Sequence, residues 1–521
     1  MNFLFILGAA FSLFLNNICA SEQSKVPHPN DEQLKKILSS FESYSEKAMK
    51  DWDVPGMAIA VVRDDKIIYS KAFGVKEKGK SDPVDVKTIF QIGSISKSFT
   101  STLVAMMVDK GYLKWDDKVI DHLPDFRMYD PWVTSEFEIE DLLAQRSGLE
   151  TQSLSSLPFF GFDRTYTMQA VKYVKPVYSF RSKFSYINTT FLWAAALVEK
   201  YTKKSWEKNL DTRIFGPLGM TNSSSTMKDY VNAKNSATLH TRKDGDPDGE
   251  VVALHKDWPF FDWVYTFGPA GSIASNVLDM SKWIRLHLAK GKFQGKQLVT
   301  EDNLNYTHMP HTIASAPIEG EQMYYGLSWV YNTYKPYSIV WHNGGTLGAK
   351  SIVSFMPEAG IGIVVLTNLN DDEVPEVLAK KFYDLYFDNP AKDWSKEELD
   401  KVAKAKEEFK SKMPKTPLPA NTIAQLPSER YVGTYNNKAY GKLEVKVDKN
   451  GLFALLGPKK VKLSLKHWNA NTFELSISDL AKKGEFVRFN VDPNGKISSV
   501  LIKLCKDVDE GIFDLVEDAD K

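Results

Sequence analysis

Cysteine is nearly missing from this chain of 521 residues: there are two, Cys19 and Cys505. Cys19 falls in an N-terminal segment that reads as removable, so Cys505 is left without an intrachain partner. An exported form would have to be held together by its core alone. Net charge is missing too, because 66 Lys and Arg balance 66 Asp and Glu. That removes the electrostatic case for nucleic acid or an anionic membrane surface as a partner. The nine histidines are scattered, without Cys neighbours or His-x-x-x-His spacing, so no metal site and no cofactor is expected. The apolar run at residues 3–15 is too short to cross a bilayer, and no transmembrane span is expected.

That run is nevertheless an address. It is broken only by Ser12, is followed by Asn16-Asn17 and ends in Ile18-Cys19-Ala20, the pattern of a secretory signal over residues 1–20 cleaved after Ala20. Ile18 stands where a lipoprotein signal has a small residue, so Cys19 does not read as a lipid anchor. A secreted or periplasmic protein is the expectation.

The remaining length is too great for one core and predicts at least two domains. Residues 31–50 carry a helical stripe of Leu34, Ile37, Leu38, Phe41 and Tyr44. Two apolar runs, 57–62 and 67–75, flank the turn Arg63-Asp64-Asp65-Lys66 and predict a β-hairpin. A helix follows to Lys110, with Ile95, Phe99, Leu103 and Met106 as its stripe and Gly111 as its stop. Residues 112–290 read as mainly helical, and strand character returns at 325–330, 338–341, 351–356 and 362–366. This order predicts an α+β domain over residues 28–390: an antiparallel sheet in which both ends of the domain meet, with a helical lobe inserted.

Residues 391–426 change character. Ser395-Lys396-Glu397-Glu398 has the form of a capping box, Leu399, Val402, Ala405, Phe409 and Met413 follow at helical spacing, and Pro414, Pro417 and Pro419 stiffen a linker. From residue 427 to 521 about eight short strands recur between turns such as Asn450-Gly451 and Asp492-Pro493-Asn494-Gly495, the pattern of a small all-β barrel or sandwich. No Ser, His and Asp cluster there, which leaves a lid, assembly or ligand-binding role for the tail.

The chemistry concentrates near Phe90-Gln91-Ile92-Gly93-Ser94-Ile95-Ser96-Lys97. Ser94 and Lys97 are three apart and share a helix face, and a serine beside an amine is a nucleophile-activating arrangement. Two further Ser-x-x-Lys strings, Ser205…Lys208 and Ser225…Lys228, show how little the string means by itself. Tyr186-Ile187-Asn188 offers a phenol that Lys97 could turn into a base, with Asn188 as an amide for Lys97 or a substrate carbonyl. Trp341-His342-Asn343-Gly344-Gly345, between strands, offers a histidine and glycines that admit close backbone approach.

Taken in order, Ser94-x-x-Lys97, Tyr186-x-Asn188 and His342-Asn343-Gly344 resemble the three motifs of the serine β-lactamase and penicillin-binding-protein superfamily, in its class C branch. The resemblance extends to Val54-Pro55-Gly56-Met57, to the stretch from Leu142 to Leu149, to Gly268-Pro269-Ala270-Gly271-Ser272 and to Asp279-Met280-Ser281-Lys282-Trp283, over about residues 30–390. Residues 427–521 resemble the lipocalin-like tail of some members. The resemblance implies Ser94 as the acylated nucleophile, Lys97 as its activator and Tyr186 as general base. It further implies Asn188 in substrate contact, an oxyanion hole from the N–H groups of Ser94 and Gly345, and Asn343 and Gly344 beside the substrate. His342 stands where drug-hydrolysing members have lysine. That favours a peptidase or esterase acting on a small molecule or peptide over a β-lactamase or D-alanyl-D-alanine carboxypeptidase, with His342 steering protons near Tyr186. A non-catalytic scaffold that self-assembles through its tail is the competing reading. The aromatic stretch Trp258, Phe260, Phe261, Trp263 and Tyr265 is either a substrate wall or loop packing.

Overall fold

Before its terminal arginine the strand Gly56–Arg63 carries no polar side chain, and it buries both faces. Met57, Ile59 and Val61 enter one apolar cluster while Ala58, Ala60 and Val62 enter another, the period-two alternation of a strand between two layers. Each fully buried Met, Ile or Val there contributes on the order of 1.5–3 kcal/mol. The protein is described by a computed structural model covering residues 28–516, except 244–245, 247, 316–321, 335, 371, 391, 413–422, 424 and 478–481. The address segment 1–20 and the linker prolines 414, 417 and 419 lie outside the described residues.

The strand sits second in an eight-stranded antiparallel sheet. In spatial order its members are Lys66–Gly74, Gly56–Arg63, Ile361–Thr367, Lys350–Met356, Tyr337–Gly345, Val330–Tyr334, Tyr324–Tyr325 and Thr312–Ile313. The first hairpin therefore pairs with the last strand, Met57 opposite Thr367, and the helical lobe is inserted between them. Helices Asp31–Asp51 and Val374–Tyr386 cover one face. The small residues Ala58, Ala60 and Gly362 let helix Val277–Leu288 lie close on the other, where a Cβ at Gly362 would stand 2.6 Å from Ile284 Cγ2.

Inside the lobe, helix Ser96–Asp109 is buried on every side from Ser96 to Met107, not along one stripe. Its hydroxyls make this tolerable. Ser98, Ser101 and Thr102 donate to carbonyls of their own turns, and Thr100 donates to Pro269 O at 2.7 Å, so no polar group among them is stranded. The helix stops as its sequence predicts: Gly111 takes φ +68°, and Tyr112 N–H reaches back to Met107 O.

The tail is a closed eight-stranded barrel running from Gly433–Asn437 to Ile512–Leu515, closed by pairing Tyr435 with Leu515. Its seventh strand ends at Ile502, and residues 503–511 then turn through two 3₁₀ segments toward the first domain, where Asp507 meets Leu154. The helix of the connecting region, Trp394–Lys412, starts two residues earlier than its capping box implied. Asp393 caps it instead, accepting from Lys396 N–H at 3.2 Å. Ser395 is buried and its hydroxyl accepts from Trp52 Nε1 at 3.0 Å, which pins this helix to the first domain.

Candidate active site

Gly93 has φ +51°, and a Cβ there would come within 2.6 Å of Gly345 N and 2.7 Å of Gly345 O. Only glycine lets the turn before Ser94 press against the strand Tyr337–Gly345. Ser94 lies in the 3₁₀ turn Gly93–Ile95, and the α-helix proper begins at Ser96. In a turn of three residues the side chains at i and i+3 eclipse, so Lys97 is brought directly to Ser94.

Lys97 is fully buried. Its Nζ lies 3.1 Å from Ser94 Oγ, 2.8 Å from Asn188 Oδ1 and 3.0 Å from Ala270 O, and 4.6 Å above the ring of Tyr186. The groups that touch it include no carboxylate, and burial holds its pKa well below the ordinary lysine value. A neutral amine has two N–H groups and one lone pair. Asn188 Oδ1 and Ala270 O can only accept, so in the neutral form they would take the two N–H groups and leave the lone pair for the Ser94 hydroxyl.

Tyr186 is hydrogen-bonded to Ser94, but burial outweighs that contact and raises its phenol pKa. The Lys97 amine sits over the ring face of Tyr186, and burial works against the charged form of both groups. The Tyr-x-Asn turn is held on both sides. Gln145 accepts from Ile187 N–H at 2.6 Å and donates to Ile187 O at 3.1 Å. Gln152 N–H donates to Tyr186 O at 2.8 Å, and Gln152 Oε1 accepts from Asn188 Nδ2 at 3.0 Å. This last contact orients the Asn188 amide so that its oxygen faces Lys97. Gln152 and Leu154 both hold φ near +65°, a strained conformation for side-chain-bearing residues.

His342, Asn343, Gly344 and Gly345 lie within a strand, not between strands, and alternation separates them. His342 is buried facing the site. Asn343 turns to the opposite face and donates to Glu376 Oε1 at 2.8 Å, so it is not brought to Ser94. Gly344 is needed for packing, since a Cβ would lie 1.9 Å from Ile92 O. Gly345 faces open space. Thr346 N–H bonds to Ala349 O, so the next pair, Gly345 opposite Lys350, is a non-hydrogen-bonded one and Gly345 N–H points away from the Lys350 strand. The outer neighbour strand stops pairing at Trp341, which leaves that N–H aimed along the edge where Gly93 and Ser94 lie. The N–H of Ser94 is a second donor at a helix start.

His342 Nδ1 contacts Asn343 O, which only accepts, so Nδ1 carries the proton and Nε2 accepts from Tyr325 OH at 3.1 Å. Burial pushes its pKa down to about 3. Its ring centre is 6.3 Å from that of Tyr186. The expected proton partner of His342, Tyr186, is thus replaced by Tyr325, which lies in an aromatic stretch too ordinary to stand out. Gln145 and Gln152 were equally invisible as single glutamines. Of the aromatic loop, Phe260 and Phe261 are core, Tyr265 OH accepts from Gln91 at 3.2 Å, and Trp263 lines a cavity. The other Ser-x-x-Lys strings do other work: Ser205 Oγ caps a helix by accepting from Lys208 N–H, and Ser225 O accepts from Ser272 Oγ.

Residues 41–386 match the family model described as Beta-lactamase, and residues 418–515 match a domain of unknown function, DUF3471. The unguisins hydrolase of Aspergillus violaceofuscus is 26% identical over 78% of this chain and 76% of its own length. Protein flp of Staphylococcus aureus is 25% identical over 62% of each. Among solved structures, the octameric penicillin-binding protein homologue from Pyrococcus abyssi superposes with a TM-score of 0.60 at 21% identity, covering 89% of this chain and 97% of that one. SurE with D-Leu superposes with a TM-score of 0.54 at 17% identity, covering 92% and 100%. Both share the fold.

Proposed function

Because the chain belongs to the β-lactamase family of serine hydrolases, we propose that it is an acyl-transfer hydrolase working through a Ser94 ester, of the peptidase or esterase type. The observation that carries this reading is the hydrogen-bond set of Lys97: two obligate acceptors and the Ser94 hydroxyl around a buried amine whose pKa is lowered by burial. Lys97 takes the proton of Ser94 as Oγ attacks the substrate carbonyl. The N–H groups of Ser94 and Gly345 receive the oxyanion. Tyr186, neutral and bonded to Ser94, passes a proton to the leaving group, and water then resolves the ester along the same path in reverse.

The neutral His342 supports the choice of substrate. A cation on this strand would attract a carboxylate set beside the scissile bond, as in a penicillin; an imidazole pushed down to about 3 and bonded to Tyr325 supplies none. The hydrolase named among the relatives supports hydrolysis as the reaction. Export rests on residues 1–20, and N-terminal sequencing of the mature protein should begin at Ser21. Self-association is proposed in line with the octameric relative, and light scattering of the full chain tests it.

A fluorophosphonate probe should label Ser94, located by peptide mass spectrometry, and should leave the Ser94→Ala chain unlabelled. Folded wild-type protein that takes no label would overturn the reading. A panel of p-nitrophenyl esters, amino-acid amides and a chromogenic cephalosporin should show ester or amide turnover well above β-lactam turnover.

A further inference from the structure

A cavity of about 570 Å³ opens where the barrel meets the first domain, within the roughly 300–1,000 Å³ range of small-molecule pockets. Its lining starts at the site. Gln152 is the residue that orients Asn188, and Leu347 lies two positions beyond Gly345. One part of the wall is apolar: Phe159 and Trp263 are stacked with centroids 5.5 Å apart, and Leu347 and Leu504 are half-buried with them around the cavity. The charged residues Glu150, Glu485, Lys503, Lys506 and Asp507 line it as well. Leu504 belongs to the 3₁₀ segment Lys503–Cys505 of the barrel.

That wall is fastened on both sides. Trp263 Nε1 donates to Ser155 O at 2.8 Å. Asp507 Oδ2 accepts from Leu154 N–H and its Oδ1 accepts from Tyr440 OH at 2.7 Å, while Lys506 pairs with Glu150 at 2.8 Å. The barrel therefore holds residues 150–156 from outside while Tyr186 and Asn188 hold them from inside.

We infer that this cavity is the pocket for a bulky apolar group, of aryl-alkyl size, on the acyl side of the substrate, and that the barrel completes it through Leu504. The inference rests on the acyl-transfer reading of Ser94. None of the reacting residues lines the cavity itself; the acyl side is assigned because the two lining residues next to the site are Leu347, two positions beyond the oxyanion donor Gly345, and Gln152, which orients Asn188. An acyl carbonyl held by Ser94 and Gly345 N–H then carries its substituent past Leu347 toward Trp263 and Leu504. The tail is on this view part of the specificity of the enzyme.

The test compares p-nitrophenyl acetate with p-nitrophenyl 3-phenylpropanoate on the full chain and on Leu504→Trp, which fills the cavity from the barrel side without touching Ser94. For the aryl substrate kcat/KM should fall about tenfold, chiefly through KM, while the acetate stays within about twofold. Leu504→Ala, which removes wall contacts, should also weaken only the aryl substrate, and it serves if the tryptophan chain fails to fold. Equal losses on both esters, or no loss on either, would overturn the pocket. Calorimetric titration of 3-phenylpropanamide into Ser94→Ala and into Ser94→Ala with Leu504→Trp separates the two claims. Weaker binding to the double variant, with neither ester turned over by the wild-type chain, would sustain the pocket and sink the catalytic reading. Turnover of both esters without discrimination by Leu504→Trp would do the reverse.

Discussion

The two halves of the candidate site are built on opposite plans. Around Ser94 everything is buried and pinned: burial disfavours the charged forms of Lys97, Tyr186 and His342, and each has its hydrogen-bonding partners inside the first domain. On the far side of Gln152 the cavity is open, and part of its wall comes from a separate barrel held by Asp507 and Tyr440. The buried half is arranged for proton transfer, where a low dielectric makes a neutral amine a competent base. The apolar wall of the borrowed half can vary without disturbing that chemistry, whereas Asp507 is tied to the first domain through Leu154. Substitutions in the first should therefore act on kcat for every substrate, and those on the apolar wall of the second should act selectively.

Lys97→Met gives the largest effect. It removes the base and should lower the rate of Ser94 acylation by about 10³–10⁴-fold, read as the rate of fluorophosphonate labelling. Tyr186→Phe should cost about 10²–10³-fold in kcat with KM little changed, because the phenol acts on the leaving group; an equal rise in KM alone would contradict that role.

The pH profile sharpens the assignment. Only neutral Lys97 can accept the serine proton, and its pKa is lowered, so activity should fall as pH drops through that lowered value and be flat above it. A limb near or above 10 would instead report ionisation of Tyr186. His342, at about 3, stays neutral through the working range, so His342→Gln should leave the position of the acid limb unmoved.

Smaller effects are expected at the edges of the comparison. Tyr325→Phe strands the acceptor nitrogen of His342, at a cost of about 1–3 kcal/mol in stability, measurable by urea unfolding, with a modest fall in kcat. Asp507→Asn weakens the hold on Leu154 and should lower kcat about threefold to tenfold for all esters, by loosening Gln152 and hence Asn188. If it changes the melting temperature and leaves kcat alone, the barrel does not reach the buried half.

Much of the fold was legible. The hairpin at residues 57–75, the helix ending before Gly111, the return of strands after 324 and the eight strands of the tail follow from local periodicity and turn residues, which are short-range properties. The site was legible as residue types: serine, lysine, tyrosine, asparagine and histidine in order. What escaped was orientation. Asn343 could not be seen to face Glu376 until His342 was known to lie within a strand, where alternation sends neighbours to opposite layers. The capping role of Asp393 and the burial of Ser395 were hidden for a related reason, since Trp52 competes for the serine from a distant helix.

By itself the sequence determined the elements and the list of reactive groups, because propensity, turn chemistry and side-chain chemistry belong to neighbouring residues. Tertiary structure alone decided that Ser94 and not Ser205 or Ser225 meets a buried lysine, that burial lowers the pKa of this lysine, that His342 answers to Tyr325, and that the barrel supplies part of the cavity wall. Each of those depends on which distant groups exclude water from a given atom, and desolvation is a property of the assembled surroundings.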